Sequence, residues 1–172
     1  MKKVFLATTA LASSVMFANS AHALTSTFTA DIDVLDALSM SQNTQMNFGK
    51  MATPSADVVV HLTQAGGNGG STTATMIDTA SMAAGSIKIA GSSASTISIS
   101  GADGGGVAGF EFTQLNCKFN AGAESDIIGA AKTAQAAPGV GKNLVCGAKL
   151  SVADAVVDGT YAPDYDITVN YE

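Results

Sequence analysis

The sequence predicts an all-β fold, an antiparallel β-sandwich, on three observations. Alternation of apolar and polar residues with period two is frequent, while a 3.6-residue repeat is hard to find. Glycine-rich breaks at residues 66–70 and 101–106 separate the alternating segments, as hairpin loops do. Hydrophobic residues make up 47% of the chain and charged residues only 13%, which favours a packed core over disorder.

The N-terminus reads as a processing signal. Lys2 and Lys3 form a positive start, Val4 to Phe17 is apolar apart from small hydroxyl residues, and Ala21-His22-Ala23 fits a small-x-small cleavage site. The pattern predicts a signal peptide over residues 1–23 and one sandwich domain over residues 24–172. No later stretch has the roughly 20 consecutive apolar residues that a membrane-spanning helix needs. No Cys lies near the cleavage site, so no bacterial lipid anchor is expected. Loss of Lys2 and Lys3 moves the net charge from −6 to −8.

The strands follow in order. Phe28, Ala30, Ile32 and Val34 share one face of an alternating segment whose other face carries Thr27, Thr29, Asp31 and Asp33. Val58 to Leu62 is a short apolar run broken by His61. Ile87 and Ile89, then Ile97 and Ile99, alternate with Ser, Thr and Lys. Phe110 and Phe112 flank Glu111, and Leu115, Cys117 and Phe119 alternate with Asn116 and Lys118. Cys146, Ala148, Leu150 and Val152 repeat the pattern, as do Tyr165, Ile167, Val169 and Tyr171. Residues 78–84 and 125–137 are the only candidates for short helical turns, the second lying in an Ala/Gly loop that an extended hairpin would also explain.

Cys117 and Cys146 are the only cysteines, and export would place them in an oxidising compartment. Each shares its strand face with apolar residues, so both sulfurs are expected to point inward and pair.

The charge balance excludes several classes of function. All 8 cationic residues are Lys, set against 14 acids, and they form no stripe that would bind nucleic acid or an anionic membrane. His61 is the only histidine left after cleavage and sits in an apolar run, which suits a structural role better than a catalytic base. No Gly-x-Ser-x-Gly elbow occurs, and Gly139-Val140-Gly141-Lys142 lacks the flanking residues of a phosphate loop. Asp31, Asp33, Asp36, Asp164 and Asp166 sit in no calcium-loop pattern and read as solvated outer positions. The expectation is no enzyme, no cofactor and no metal.

The two chain ends carry the most information. Tyr171 is penultimate, Gly159 is fourteenth from the end, and Tyr161, Tyr165, Ile167 and Val169 lie between them. This pattern resembles the C-terminal motif of chaperone–usher pilin subunits, and Phe28, Ala30, Ile32 and Val34 resemble their donor strand. The resemblance implies an immunoglobulin-like or pilin-like sandwich, left incomplete and filled by strand addition from a neighbour. A bridge between Cys117 and Cys146 departs from the usual pilin placement, where it ties the early strands.

A second resemblance covers more of the chain. Met46-Asn47-Phe48-Gly49-Lys50-Met51, Asp158-Gly159-Thr160-Tyr161 and Ile167-Thr168-Val169-Asn170-Tyr171 are similar to the bacterial exported family known as domain of unknown function 4402. That resemblance implies a small secreted sandwich with a surface or pilus-like role. Phe48 would plug the core and Gly49 would sit in a tight turn.

Two readings of function result. The first is a secreted or cell-surface structural or adhesive subunit that pairs strands with itself or with an assembly chaperone. The second is a monomeric extracellular or periplasmic binding module for a glycan or small ligand. An eight-stranded outer-membrane barrel fits the length but not the eight aromatics that remain after cleavage.

Overall fold

The computed structural model of the chain describes residues 29–172. The expected signal peptide over residues 1–23, and Phe28 of the candidate donor strand, lie outside the described residues. The chain divides into two units, Met1–Asp33 and Val34–Glu172. All strands among the described residues belong to the second. They are β1 (Ser39–Thr44), β2 (Lys50–Met51), β3 (Val58–Leu62), β4 (Met76–Asp78), β5 (Gly85–Ala90) and β6 (Ile97–Asp103). β7 (Phe110–Phe119), β8 (Ser125–Asp126), β9 (Lys132–Gln135), β10 (Lys142–Val152) and β11 (Tyr165–Tyr171) complete the order.

The fold is an antiparallel β-sandwich. The larger sheet has the order β1-β5-β10-β7-β8, and the smaller has the order β11-β6-β9. A two-stranded ladder of β2 and β4 stands apart from both. β10 is the spine of the larger sheet. One of its edges pairs with β7 from Leu144 to Val152. Its other edge is shared end to end, with β5 along Lys142–Cys146 and β3 along Ala148–Val152. Gly147 sits at that handover. A Cβ there would lie 2.4 Å from the Leu62 carbonyl oxygen and 2.8 Å from the Gln64 nitrogen, so the departing β3 backbone leaves room only for glycine.

The alternation seen in the sequence becomes the core. Ile89, Ile97, Ile99, Leu115, Cys117, Leu144 and Ala148 are fully buried, as inward phases of pleated strands should be. The inward phase of β7 switches from even to odd numbers between Phe112 and Leu115. The ladder explains the switch: Lys149 pairs with Gln114 but Leu150 with Phe112, so Thr113 is an extra residue in a β-bulge. The two sheets meet where Tyr165 of β11 packs edge-on against Phe112 of β7, with ring centroids 5.3 Å apart.

Two expectations of helical turns are corrected. The segment 78–84 leaves β4 in a non-helical turn, and 125–137 holds β8 and β9 in extended form. Local Ala content favours helix only weakly, and tertiary pairing overrides it here. Asp126 shows how: its Oδ1 accepts from the Leu115 and Ile128 backbone nitrogens, both at 3.0 Å, tying the segment to β7.

Of the candidate donor strand, Ala30, Ile32 and Val34 are described. They join no β-ladder, and Ile32 and Val34 are 85% and 86% exposed. The alternating pattern is therefore present without a partner edge to satisfy its backbone.

Candidate functional site

The feature that stands out within the unit Val34–Glu172 is a cleft between the edges of the two sheets. Its volume is about 1310 Å³. One wall comes from Met40 and Gln42 of β1 and Ile87 of β5, and the other from Tyr165 and Ile167 of β11. Val60, Phe112 and Leu150 lie at its base. The sheet topology explains the open side. Among the described residues β11 pairs only with β6, and β1 only with β5, so there each leaves one strand edge without a partner. All six residues of β1 are exposed, including Met40 on the cleft side. Tyr165, Ile167, Val169 and Tyr171 present their inward phase but are only half-buried.

Five aromatic side chains line the cleft: Phe48, Phe110, Phe112, Tyr161 and Tyr165. Phe48 packs on Phe112 with centroids 5.8 Å apart, and Phe110 packs on Tyr161 at 4.9 Å. Phe48 is held there by the turn that follows it. The Gly49 nitrogen donates to Asn47 Oδ1 at 2.8 Å, and Gly49 has a φ of +77°. A Cβ on Gly49 would lie 2.2 Å from the Asp78 carbonyl oxygen, so glycine is required twice over. Burial raises the pKa of the Tyr165 hydroxyl above its ordinary value.

The cleft ends short of the Tyr171 end of β11. There Gly91 leaves space into which three groups converge. A Cβ on it would lie 2.4 Å from the Tyr171 hydroxyl, 3.0 Å from Leu38 Cδ2 and 3.4 Å from Pro138 Cγ. The Tyr171 hydroxyl accepts from the Ser92 backbone nitrogen at 2.6 Å and donates to the Asp36 carbonyl oxygen.

The structure brings the C-terminal motif together only in part. Tyr161, Tyr165 and Ile167 face the cleft, and Gly159 lies in the loop at its mouth. Tyr171 belongs to the closed end, and Val169 is packed against the core without lining the cleft. The aromatic cluster was not foreseen as a unit, although Phe48, Phe110 and Phe112 were each visible as inward residues.

Cys117 and Cys146 form the expected disulfide. They are directly opposed across β7 and β10, with Cα atoms 4.1 Å apart, and both are buried. His61 lies outside the cleft. Its Nδ1 is 2.7 Å from the Ser71 hydroxyl, and its ring lies against Gly69, where a Cβ would come within 2.0 Å of it. Desolvation, then the charge of Lys149, lowers its pKa, against a smaller opposing effect of Glu124. Lys142 Nζ donates to the Ala137 carbonyl oxygen within its own loop, so this lysine is already engaged. No group of three or more potential metal ligands occurs among the described residues.

The profile of one family, described as domain of unknown function (DUF4402), matches residues 38–171. The chain belongs to this family. The match runs from the residue before β1 to the last residue of β11, so the DUF4402 domain comprises the whole sandwich. No curated protein and no solved structure matches the chain. No helix among the described residues is long and apolar enough to cross a membrane.

Proposed function

We propose that this DUF4402 protein is an exported structural or adhesive subunit of the cell surface, pilin-like in assembling by β-strand exchange and without catalytic activity. The cleft along the free edge of β11 carries the reading. It is open, apolar at its base and bordered by β1 on one side and by Tyr165 and Ile167 of β11 on the other. A chain with the alternation of Ala30, Ile32 and Val34 offers such a strand. In a second copy that segment would gain both a ladder partner and cover for its side chains. Export is supported by the three-part N-terminal pattern and fits the Cys117–Cys146 disulfide.

The test is the oligomeric state of the mature chain, followed on unheated and heated SDS gels and by size-exclusion chromatography. Oligomers that dissociate on heating, and that disappear on deletion of residues 25–34, are expected. Monomers alone, unchanged by the deletion, would overturn strand exchange.

The aromatic lining favours a second reading, a monomeric module for a glycan or small ligand. Tyr161, 38% exposed at the mouth, is the kind of side chain that stacks on a sugar ring. Saturable binding on a glycan array, lost in Tyr161→Ala, would favour this reading over the first.

A further inference from the structure

We propose that Asp36, Leu38 and Tyr171 form a removable stop that shortens the cleft, and that a strand docking along all of β11 must displace it. The proposal rests on the strand-exchange reading and names how that site is controlled.

β11 presents four inward positions at period two: Tyr165, Ile167, Val169 and Tyr171. The candidate donor also carries four: Phe28, Ala30, Ile32 and Val34. A full match needs the entire length of β11, yet the cleft extends only from Tyr165 to Ile167. At Tyr171 the apolar space is taken by the chain's own Leu38, packed with Tyr171 and Pro138 over Gly91.

The stop is lightly held. Asp36 and Ala37 are exposed and Leu38 is half-buried. The segment 34–38 precedes β1 and belongs to no ladder. Its described side-chain hydrogen bond is the one from the Tyr171 hydroxyl to the Asp36 carbonyl oxygen. A single hydroxyl thus joins the entry of β1 to the end of β11 and, through the Ser92 nitrogen, to the chain after β5. Breaking that contact frees Leu38 to leave and opens the second half of the β11 edge.

The experiment uses a fluorescein-labelled peptide of residues 25–34 and the mature chain, with association followed by fluorescence anisotropy. Tyr171→Phe keeps the ring and removes both hydrogen bonds. Loss of the bond to Asp36, the one that holds the segment 34–38, is expected to speed association roughly two- to tenfold. Leu38→Ala, which empties the stop by another route, should act in the same direction and serves if Tyr171→Phe does not fold. Faster association in either variant supports the stop. Binding by wild type at a rate that neither variant changes would overturn the stop and leave strand docking standing. No binding by wild type or by either variant would overturn the docking reading, and the stop with it.

Discussion

Cys146 stands directly opposite Cys117 in the β10–β7 ladder, so the disulfide crosses between neighbouring strands of one sheet. It does not tie the two sheets together. Its effect on stability therefore falls on the unfolded chain, where it closes a loop with a sequence separation of 29. Chain entropy assigns such a loop about 3.6 kcal/mol. The double variant Cys117→Ala/Cys146→Ala should lose roughly that amount in urea unfolding. Because both residues are buried, dithiothreitol should reduce the native bridge only as fast as the protein opens. Rapid thiol release from the folded protein would contradict this.

The contact between Gly147 and Leu62 gives a sharper steric prediction. Gly147→Ala drives a methyl group into the backbone of Leu62 and Thr63 just where β10 changes partner from β5 to β3. Overpacking against backbone should cost about 3 kcal/mol in chemical denaturation. Gly70→Ala is the control. Nothing lies within 4 Å of a Cβ on Gly70, so its midpoint should stay within about 0.5 kcal/mol of wild type.

Phe112 joins core and cleft. It is 2% exposed and contacts both Phe48 and Tyr165. Phe112→Ala should destabilise by about 3–5 kcal/mol. Phe48→Ala, at a half-buried position, should cost less while widening the same cleft. The order of the two melting temperatures checks the assignment of Phe112 to the base and Phe48 to the side.

His61 predicts a pH dependence of definite sign. Its folded pKa is lowered from 6.5, first by desolvation and then by Lys149. The unfolded chain therefore binds the proton more readily than the folded one. The contribution of this group to stability is whole above pH 6.5 and is lost progressively as the pH falls below it. An NMR titration should place the His61 midpoint below 6.5. His61→Gln should flatten that part of the stability profile, and an unchanged slope would refute the assignment.

Much of the sandwich was legible because pleated strands obey a binary rule. Ile97 and Ile99, or Ala148, Leu150 and Val152, reveal their buried face from spacing alone. The bulge at Thr113 was not foreseen, although the apolar phase slips between Phe112 and Leu115. The Asn47-Phe48-Gly49 turn could be read because only glycine takes its positive φ freely. The segment 125–137 was harder to read. Its Ala and Gly residues state no firm preference, and the bonds from Leu115 and Ile128 to Asp126 decided its form.

The cleft could not be read from the sequence. It depends on β1 and β11 both being edge strands, on β10 sharing one edge between β3 and β5, and on Leu38 meeting Tyr171. These contacts join residues far apart in the chain. The space a glycine leaves for a distant backbone, as at Gly147 and Gly91, has no local signature. By itself the sequence determined the long core strands β3, β5, β6, β7, β10 and β11 with their inward faces, the paired cysteines and the family motifs, because each follows from local periodicity or from residue identity. Only the tertiary structure decided which strands lie at the edges and where the two sheets part, because edge and cleft are properties of how elements meet.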